Sequence, residues 1–356
     1  MFMRQYEWSI QLYRFTMVQR IFRKFAKSPS SVNIGSLAFP LDVMWYTAPE
    51  NSILNGLDIG ITYHILCCIA RPDPRQLQLH LKPHALELKV AHPEMLKAIT
   101  AAKKKNDRAD SEKIADLLRV NLLPECYMAP QEIRELRRVL RYRNMIVHTA
   151  VKMKNKISGL LMEVGATYSK KRLHGKKYFN ELLERVEDVP PSVNDLLQLS
   201  RSGLEMFQGV QKRLLNTLRE NDLIRERVER LMTIPGIGEV TALTWALEIG
   251  DASRFSSTRQ AVSYCGLCSA QKESGGKEQR GPISKKRNKH LQTVLIEAAK
   301  LAPRWNEQLA EMHAKELTRG NRNRATLAVA RRLVAYMMAV ERRKTAFEPM
   351  ITANAA

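Results

Sequence analysis

The chain has 356 residues, 44% of them apolar and 6% aromatic. That length allows two or three domains, that apolar fraction excludes a wholly disordered chain, and so few aromatics suit a helix-rich protein better than a sandwich or barrel. Lys and Arg number 58 against 36 Asp and Glu, a net charge of +22, and such an excess points to a polyanionic partner, because basic side chains release the counterions condensed on phosphates.

In chain order, residues 1–52 mix aromatic, basic and Ser/Pro/Asn-rich stretches without a sustained period and are read as an extension of uncertain order. Residues 53–122 read as mixed α/β: short strands at Ile53–Asp58, His64–Ala70 and Leu86–Ala91, the last stopped by Pro93, then helical pattern from Glu94 and again over Asp110–Val120. Residues 123–230 read as a helical linker. A long helix over 131–165 places Ile133, Leu136, Leu140, Val147, Ala150, Ile157, Leu161 and Val164 on one stripe. Beyond Pro190 and Pro191, a second long helix puts Phe207, Val210, Leu214, Ile224, Val228 and Leu231 on one seam, with Thr217 and Asn221 as polar breaks. Two such helices form an antiparallel hairpin within the chain or a coiled coil between subunits, and a homodimer or higher homo-oligomer is expected. Residues 231–345 read as a small helical domain ending in an amphipathic helix over 323–342, with 346–356 as a tail.

No apolar run approaches the length of a membrane span, and no signal-peptide pattern opens the chain, so a cytoplasmic protein is expected. Five cysteines, an odd number, point to a reducing compartment. Cys265 and Cys268 form a C-x-x-C without a second pair at zinc spacing and read as small buried side chains, as do Cys67 and Cys68.

Four segments carry chemistry. Ile234-Pro235-Gly236-Ile237-Gly238 lies between two helical stretches, the pattern of a helix-hairpin-helix. Its glycines let the backbone turn tightly and approach a phosphate, which the N–H groups of the next helix then face. An ordinary glycine-containing helix turn has the same local spelling. Next comes Lys272-Glu273-Ser274-Gly275-Gly276-Lys277, then a basic run with Arg280, Lys285, Lys286, Arg287 and His290. It reads as a flexible loop in which Ser274 can attack a phosphodiester clamped by those cations, or which simply contacts DNA. Asp107 and Asp110, three apart at a helix start, can share a Mg2+ through oxygen ligands or serve as caps. Asp58, between Gly56 and Gly60 at a strand end, is either a further metal ligand or a turn aspartate.

Taken in order, Gly-Leu-Asp-Ile-Gly, Ala-His-Pro-x-x-x-Lys-Ala-Ile, Lys-Lys-Asn-Asp-x-x-Asp, Ile-Pro-Gly-Ile-Gly, Tyr-Cys-Gly-Leu, Glu-Ser-Gly-Gly and Gly-x-Ile-Ser-Lys-x-x-Asn-x-x-Leu resemble an insertion-sequence-110 family transposase over residues 53–345. The resemblance implies a RuvC-like (RNase H-like) N-terminal domain with a DEDD metal site, long coiled-coil helices, and a mostly α-helical C-terminal domain with a nucleophilic serine. It also implies a serine–DNA covalent link, Mg2+ as cofactor, DNA and a structured guide RNA as partners, and residence in the cytoplasm at the bacterial nucleoid. Asp58 matches the first metal-binding acid, Asp107 and Asp110 the last two, and Ser274 the nucleophile. Pro235, Gly236, Gly238, Lys277, Arg280, Lys285, Lys286, Arg287 and His290 are the expected DNA contacts. The glutamate of the metal site has no counterpart: between Pro74 and Ala91 there is room for little more than one strand, so the RuvC-like domain carries an internal deletion. Glu87 and Glu94 lie outside the motif, and Glu50 is a remote substitute. The alternative is thus an inactive, truncated transposase that still binds nucleic acid and dimerises. A third reading, a structure-specific repair nuclease, explains the helix-hairpin-helix but not the Ser274 segment.

Overall fold

The computed structural model describes residues 43–48, 62–68, 87–92, 95–96, 114, 117–118, 120–186, 189–274, 277–285 and 287–348. The chain divides into two units, Met1–Met128 and Ala129–Ala356. The described residues are predominantly helical with few strands.

The first unit holds a three-stranded sheet. Strand β1 (Val43–Ala48) runs antiparallel to β2 (Thr62–Cys68), from the pair Val43–Cys67 to the pair Ala48–Thr62. Strand β3 (Glu87–Ala91) pairs with β2 in parallel, His64 opposite Glu87 and Cys68 opposite Ala91. A parallel pair needs a long connection between its strands, and β2 and β3 are well separated in sequence, ending at Cys68 and starting at Glu87. β2 and β3 fall where the apolar runs are, whereas β1 lies in the segment read as an extension. Its sequence, Val-Met-Trp-Tyr-Thr-Ala, is rich in β-branched and aromatic residues that suit a pleated surface, but it is too short to show a period beside its irregular neighbours. The expected strand Ile53–Asp58 lies outside the described residues. Beyond β3 the chain returns along it: Cys126 N–H donates to Val90 O (2.6 Å), His92 N–H to Pro124 O (2.8 Å), and Lys89 pairs with Glu125 at 2.9 Å. Ala91, Leu96, Ile114 and Leu123 form the small core beneath.

The second unit begins with α1 (Gln131–Glu163), followed by α2 (Lys176–Arg185) and α3 (Pro191–Arg219). Ala150, Ile157, Leu160 and Leu161 near the end of α1 share a core with Leu197 and Leu204 near the start of α3, and Phe179 and Leu182 of α2 close it. At the opposite end, Glu132 and Leu136 of α1 line one cleft with Glu220 at the end of α3. The two long helices therefore pack antiparallel within the chain, the first of the two arrangements expected. The second seam is not one helix. It breaks at Glu220–Asn221, where the Asn221 side chain accepts from Leu223 N–H (3.2 Å) and caps α4 (Asp222–Met232). Asn is among the best N-cap residues, so the polar break is a helix boundary.

The rest of the unit packs around α5 (Glu239–Ile249), in which every residue from Thr241 to Ile249 is buried. A helix apolar on all sides belongs in the centre of a bundle. Around it lie α1, α4 and α7 (Lys289–Leu301). A short α6 (Thr258–Tyr264) leads into strands β4 (Ser269–Ser274) and β5 (Lys277–Ile283); α8 (Glu307–Arg319) and α9 (Arg322–Arg343) close the chain. Arg227 of α4 grips the Glu341 carboxylate of α9 (2.6 and 2.8 Å), which also accepts from Trp245 Nε1 of α5 (3.0 Å). Three helices are thereby tied at one carboxylate.

Candidate functional site

The turn Thr233–Gly238 joins α4 to α5. Ile234 and Ile237 are buried, and Ile237 N–H donates back to Ile234 O (3.0 Å), so the apolar residues of the motif fasten the turn to the bundle. Its two glycines differ. Gly236 has φ +89°, and a Cβ there would stand 2.5 Å from Ala302 Cβ, so its glycine is demanded by the turn and by close approach of the segment after α7. Gly238, the N-cap of α5, faces open space with ordinary φ. An acid follows at once: Glu239 is held by Arg219 in a two-pronged pair, 2.9 Å at the longer contact. Arg219 pulls the Glu239 carboxyl below the ordinary glutamate value against a smaller opposing effect of burial. A negative side chain suits the positive end of a helix, and the pair puts a cation beside it.

The segment read as a flexible basic loop is an antiparallel ribbon over its described residues. Ser274 ends β4 and stands directly opposite Lys277, the first residue of β5. Glu273 faces Glu278, Lys272 faces Gln279 and Gln271 faces Arg280. Gly275-Gly276 is the length and composition of a two-residue hairpin connection. A register shift between Ser269 and Gln271 falls opposite Gly281-Pro282, which suits a proline with no N–H to give the ladder. The flexible reading arose because the ribbon is polar on both faces, leaving no apolar alternation to see.

The root of the ribbon is strongly fastened. Ser284 N–H donates to Cys268 O (3.1 Å) and Asn288 N–H to Tyr264 O (3.2 Å). Gly266 has φ +71°, and a Cβ there would overlap the side chain of Arg287. Gln292 Nε2 donates to Gly266 O (2.6 Å) and Arg331 Nε to Leu267 O (2.8 Å). The Tyr-Cys-Gly-Leu motif is thus the socket of the ribbon. Cys265 is buried and free, its thiol pushed up to about 12 by burial; Cys268 is free and half-buried. Beneath the socket, the Glu248 carboxylate accepts from Arg141 Nε (2.7 Å), Arg141 Nη2 (2.9 Å) and Asn288 Nδ2 (2.8 Å), while Arg137 donates to Leu247 O (2.7 Å). Burial opposes the charge on Glu248, but the hydrogen bonds from Arg141 and Asn288 and the charges of Arg141 and Arg137 outweigh it and hold the carboxyl below its ordinary value.

The structure places the expected residues unevenly. Pro235, Gly236 and Gly238 share the turn at one end of α5. Asn288 and His290 lie near Glu248 at its other end, so turn and socket are separated by the length of one 11-residue helix, about 16 Å. His290, half-buried, has its imidazole pushed below the ordinary histidine value chiefly by burial, so at neutral pH it offers a hydrogen bond rather than a charge. Lys285 and Arg287 are exposed beside the root. Lys286, Asp58, Asp107 and Asp110 lie outside the described residues, as do Glu50 and Glu94. Among the described residues no group of three His, Cys, Asp or Glu could hold a metal ion, and no helix is long and apolar enough to cross a membrane. Sequence reasoning missed Glu248, Arg141 and Arg137. The signal was present: Glu248 is the one charge in Val240–Ile249, and a charge in so apolar a run must find a buried partner.

Residues 228–314, which span the turn, the socket and the ribbon, match a family model described as transposase IS116/IS110/IS902 family. Residues 62–165, from β2 through α1, match a second model described as a transposase, of the DEDD type. The chain is 25% identical over 254 residues to a probable family 20 transposase of Pseudomonas aeruginosa, covering 69% of this chain and 74% of that protein. It is 26% identical over 278 residues to the transposase for insertion sequence element IS1328 of Yersinia enterocolitica, covering 75% and 80%. With the transposase for insertion sequence element IS1111A of Coxiella burnetii the identity is 28% over 238 residues, covering 64% of each. The two family matches follow one another in the order the motifs require: the chain carries transposase domains of the IS110/IS116/IS902 family, and its resemblance is to enzymes that act on DNA.

Proposed function

We propose that this insertion-sequence transposase cuts and rejoins DNA strands with Ser274 as nucleophile. The observation that carries the reading is the ribbon: Ser274 ends β4 directly opposite Lys277, two residues beyond Lys272, on a root fastened to the helical bundle. A serine on a stiff projection between lysine positions can enter a groove while the cations offset phosphate charge. In the first step Ser274 Oγ bonds to phosphorus, one P–O bond of the DNA backbone breaks, and the departing strand leaves as a hydroxyl carrying the serine's proton. In the second a strand hydroxyl attacks the phosphoserine ester, regenerates Ser274 and closes the new backbone bond. One phosphodiester replaces another, so no outside energy source is needed.

The turn at Pro235, Gly236 and Gly238 acts in this reading as a helix-hairpin-helix. Gly238 supports it, because open space there leaves the backbone accessible to a phosphate. Lys277, Arg280, Lys285, Lys286, Arg287 and His290 flank the scissile strand. Asp58, Asp107 and Asp110 would hold Mg2+, a donor set of oxygens without sulfur or imidazole that fits this ion. When bound, Mg2+ neutralises charge at the reacting phosphate. The mixed sheet is read as part of an RNase H-like domain, α1 and α3 as a coiled-coil hairpin that also pairs subunits, and a structured RNA as the guide that supplies sequence choice.

One observation favours the second reading, a non-catalytic remnant that still binds nucleic acid. The DEDD-type match starts at residue 62, after Asp58, and the stretch between Pro74 and Ala91 leaves room for little more than one strand where the family's glutamate would lie. Incubating the protein with element-end DNA, the element's RNA and Mg2+ separates the two. Strand cleavage lost in Ser274→Ala supports the enzyme. Tight binding without cleavage in Mg2+ or Mn2+ supports the remnant.

A further inference from the structure

Glu248 is the one buried carboxylate among the described residues, with 1% of its surface exposed. Its position opposes a charge twice. It lies in the apolar interior, and it lies in the last turn of α5, where the negative end of the helix disfavours a carboxylate. Buried ion pairs add little stability over apolar residues of similar size, so a fold that needed only stability would place an apolar side chain here. The carboxylate instead joins two separate elements. Arg141 and Arg137 reach it from α1. Asn288, reached through its Nδ2, comes from the segment between β5 and α7. The same Asn288 uses its side-chain oxygen to cap α7, accepting from His290 N–H (3.1 Å) and Leu291 N–H (3.3 Å), and its own N–H to grip Tyr264 O. This one residue therefore ties Glu248, the start of α7 and the Tyr264 carbonyl together at the root of the ribbon.

The ribbon makes the root a lever. Its strands are 6 and 7 residues long, and at about 3.3 Å per residue the tip stands roughly 17 Å from the root. A tilt of about 5° at the root then moves the tip by roughly 1.5 Å, and misplacing a reacting atom by about 1 Å can cost a hundredfold in rate. We infer that Glu248 is a positioning residue for Ser274: held by Arg141 and Arg137 of α1, it fixes Asn288 and so aims the ribbon that carries the serine. The inference rests on Ser274 being the nucleophile.

The full chain is compared with Glu248→Gln and Asn288→Ser. The second variant keeps a good N-cap for α7 while removing the reach to Glu248, so it guards against a Glu248 variant that fails to fold. Hydrogen exchange is followed at the Ser284 and Asn288 amides, and denaturant-resistant protein–DNA adduct is timed. Expected are exchange at those two amides at least tenfold faster, unchanged exchange in α9, DNA affinity within twofold of the parent, and adduct formation slowed at least tenfold. An unchanged adduct rate in Asn288→Ser overturns the proposal, whether or not exchange changes. If Ser274→Ala forms adduct as fast as the parent, it is the nucleophile that has been misassigned. Exchange at Ser284 and Asn288 then decides the anchoring alone, and unchanged exchange in both variants overturns that too.

Discussion

Glu248 and its guanidinium partners form a buried pair whose two halves behave differently when one is removed. Glu248→Gln leaves Arg141 and Arg137 facing a neutral amide. The expected loss in unfolding free energy is about 3 kcal/mol, the low end for breaking a buried pair, because the Arg141 side chain stays half exposed to water. The sign with pH follows from the lowered carboxyl. Its contribution is complete above the ordinary glutamate value, about 4.3, and is lost as pH falls through the lower folded value. Urea unfolding at pH 7 should therefore separate parent from Glu248→Gln, and the gap should shrink towards pH 3. The two glycines of the turn make a second contrast. Gly236→Ala meets positive φ and Ala302 together and should cost about 2 kcal/mol or more. Gly238→Ala meets nothing and should cost well under about 1 kcal/mol, yet weaken DNA binding if the backbone there approaches a phosphate. Thermal melts paired with binding isotherms check both.

Among the elements, the boundary between α3 and α4 gives a direct test. Asn221→Ala removes the cap and should cost about 1 kcal/mol, measured by chemical denaturation. That boundary also shows what the sequence conveys and what it does not. The apolar seam of Phe207 to Leu231 is present, and Ile224, Val228 and Leu231 are buried. The apolar spacing runs on through the break at Glu220–Asn221, however, and only the capping chemistry of Asn221 marks the stop. α1 and α9 are legible because each carries a long one-sided stripe. α2 is not, being only 10 residues long and held by contacts distant in sequence, such as Phe179 under the Arg201 guanidinium. The ribbon was legible as a motif and illegible as a fold. Its residues were recognised by type, while its strand character comes from pairing across Gly275-Gly276. Glu248 was hidden for a related reason: a single acid in an apolar run announces a buried partner but does not say that the partners sit on α1 and beside Asn288.

For the whole molecule, the +22 net charge and the family matches place DNA at the centre of its work. Phosphate contacts from the turn and the basic run should make affinity fall steeply with salt, the logarithmic slope tracking the number of phosphates neutralised. In the absence of RNA, little preference among sequences is expected, because backbone contacts position a duplex without reading it. Titrations across about 50–200 mM salt with matched and scrambled duplexes check this, and strong preference in protein alone would count against an RNA guide. The central claim, that Ser274 carries the DNA, is tested most directly by finding the bond. Trypsin cutting after Lys272 and Lys277 releases Glu273–Lys277, in which Ser274 is the one hydroxyl side chain. After reaction with element-end DNA and nuclease trimming, mass spectrometry should find a nucleotide on this peptide. Cleaved DNA with the nucleotide on another peptide, or on none, would contradict the account.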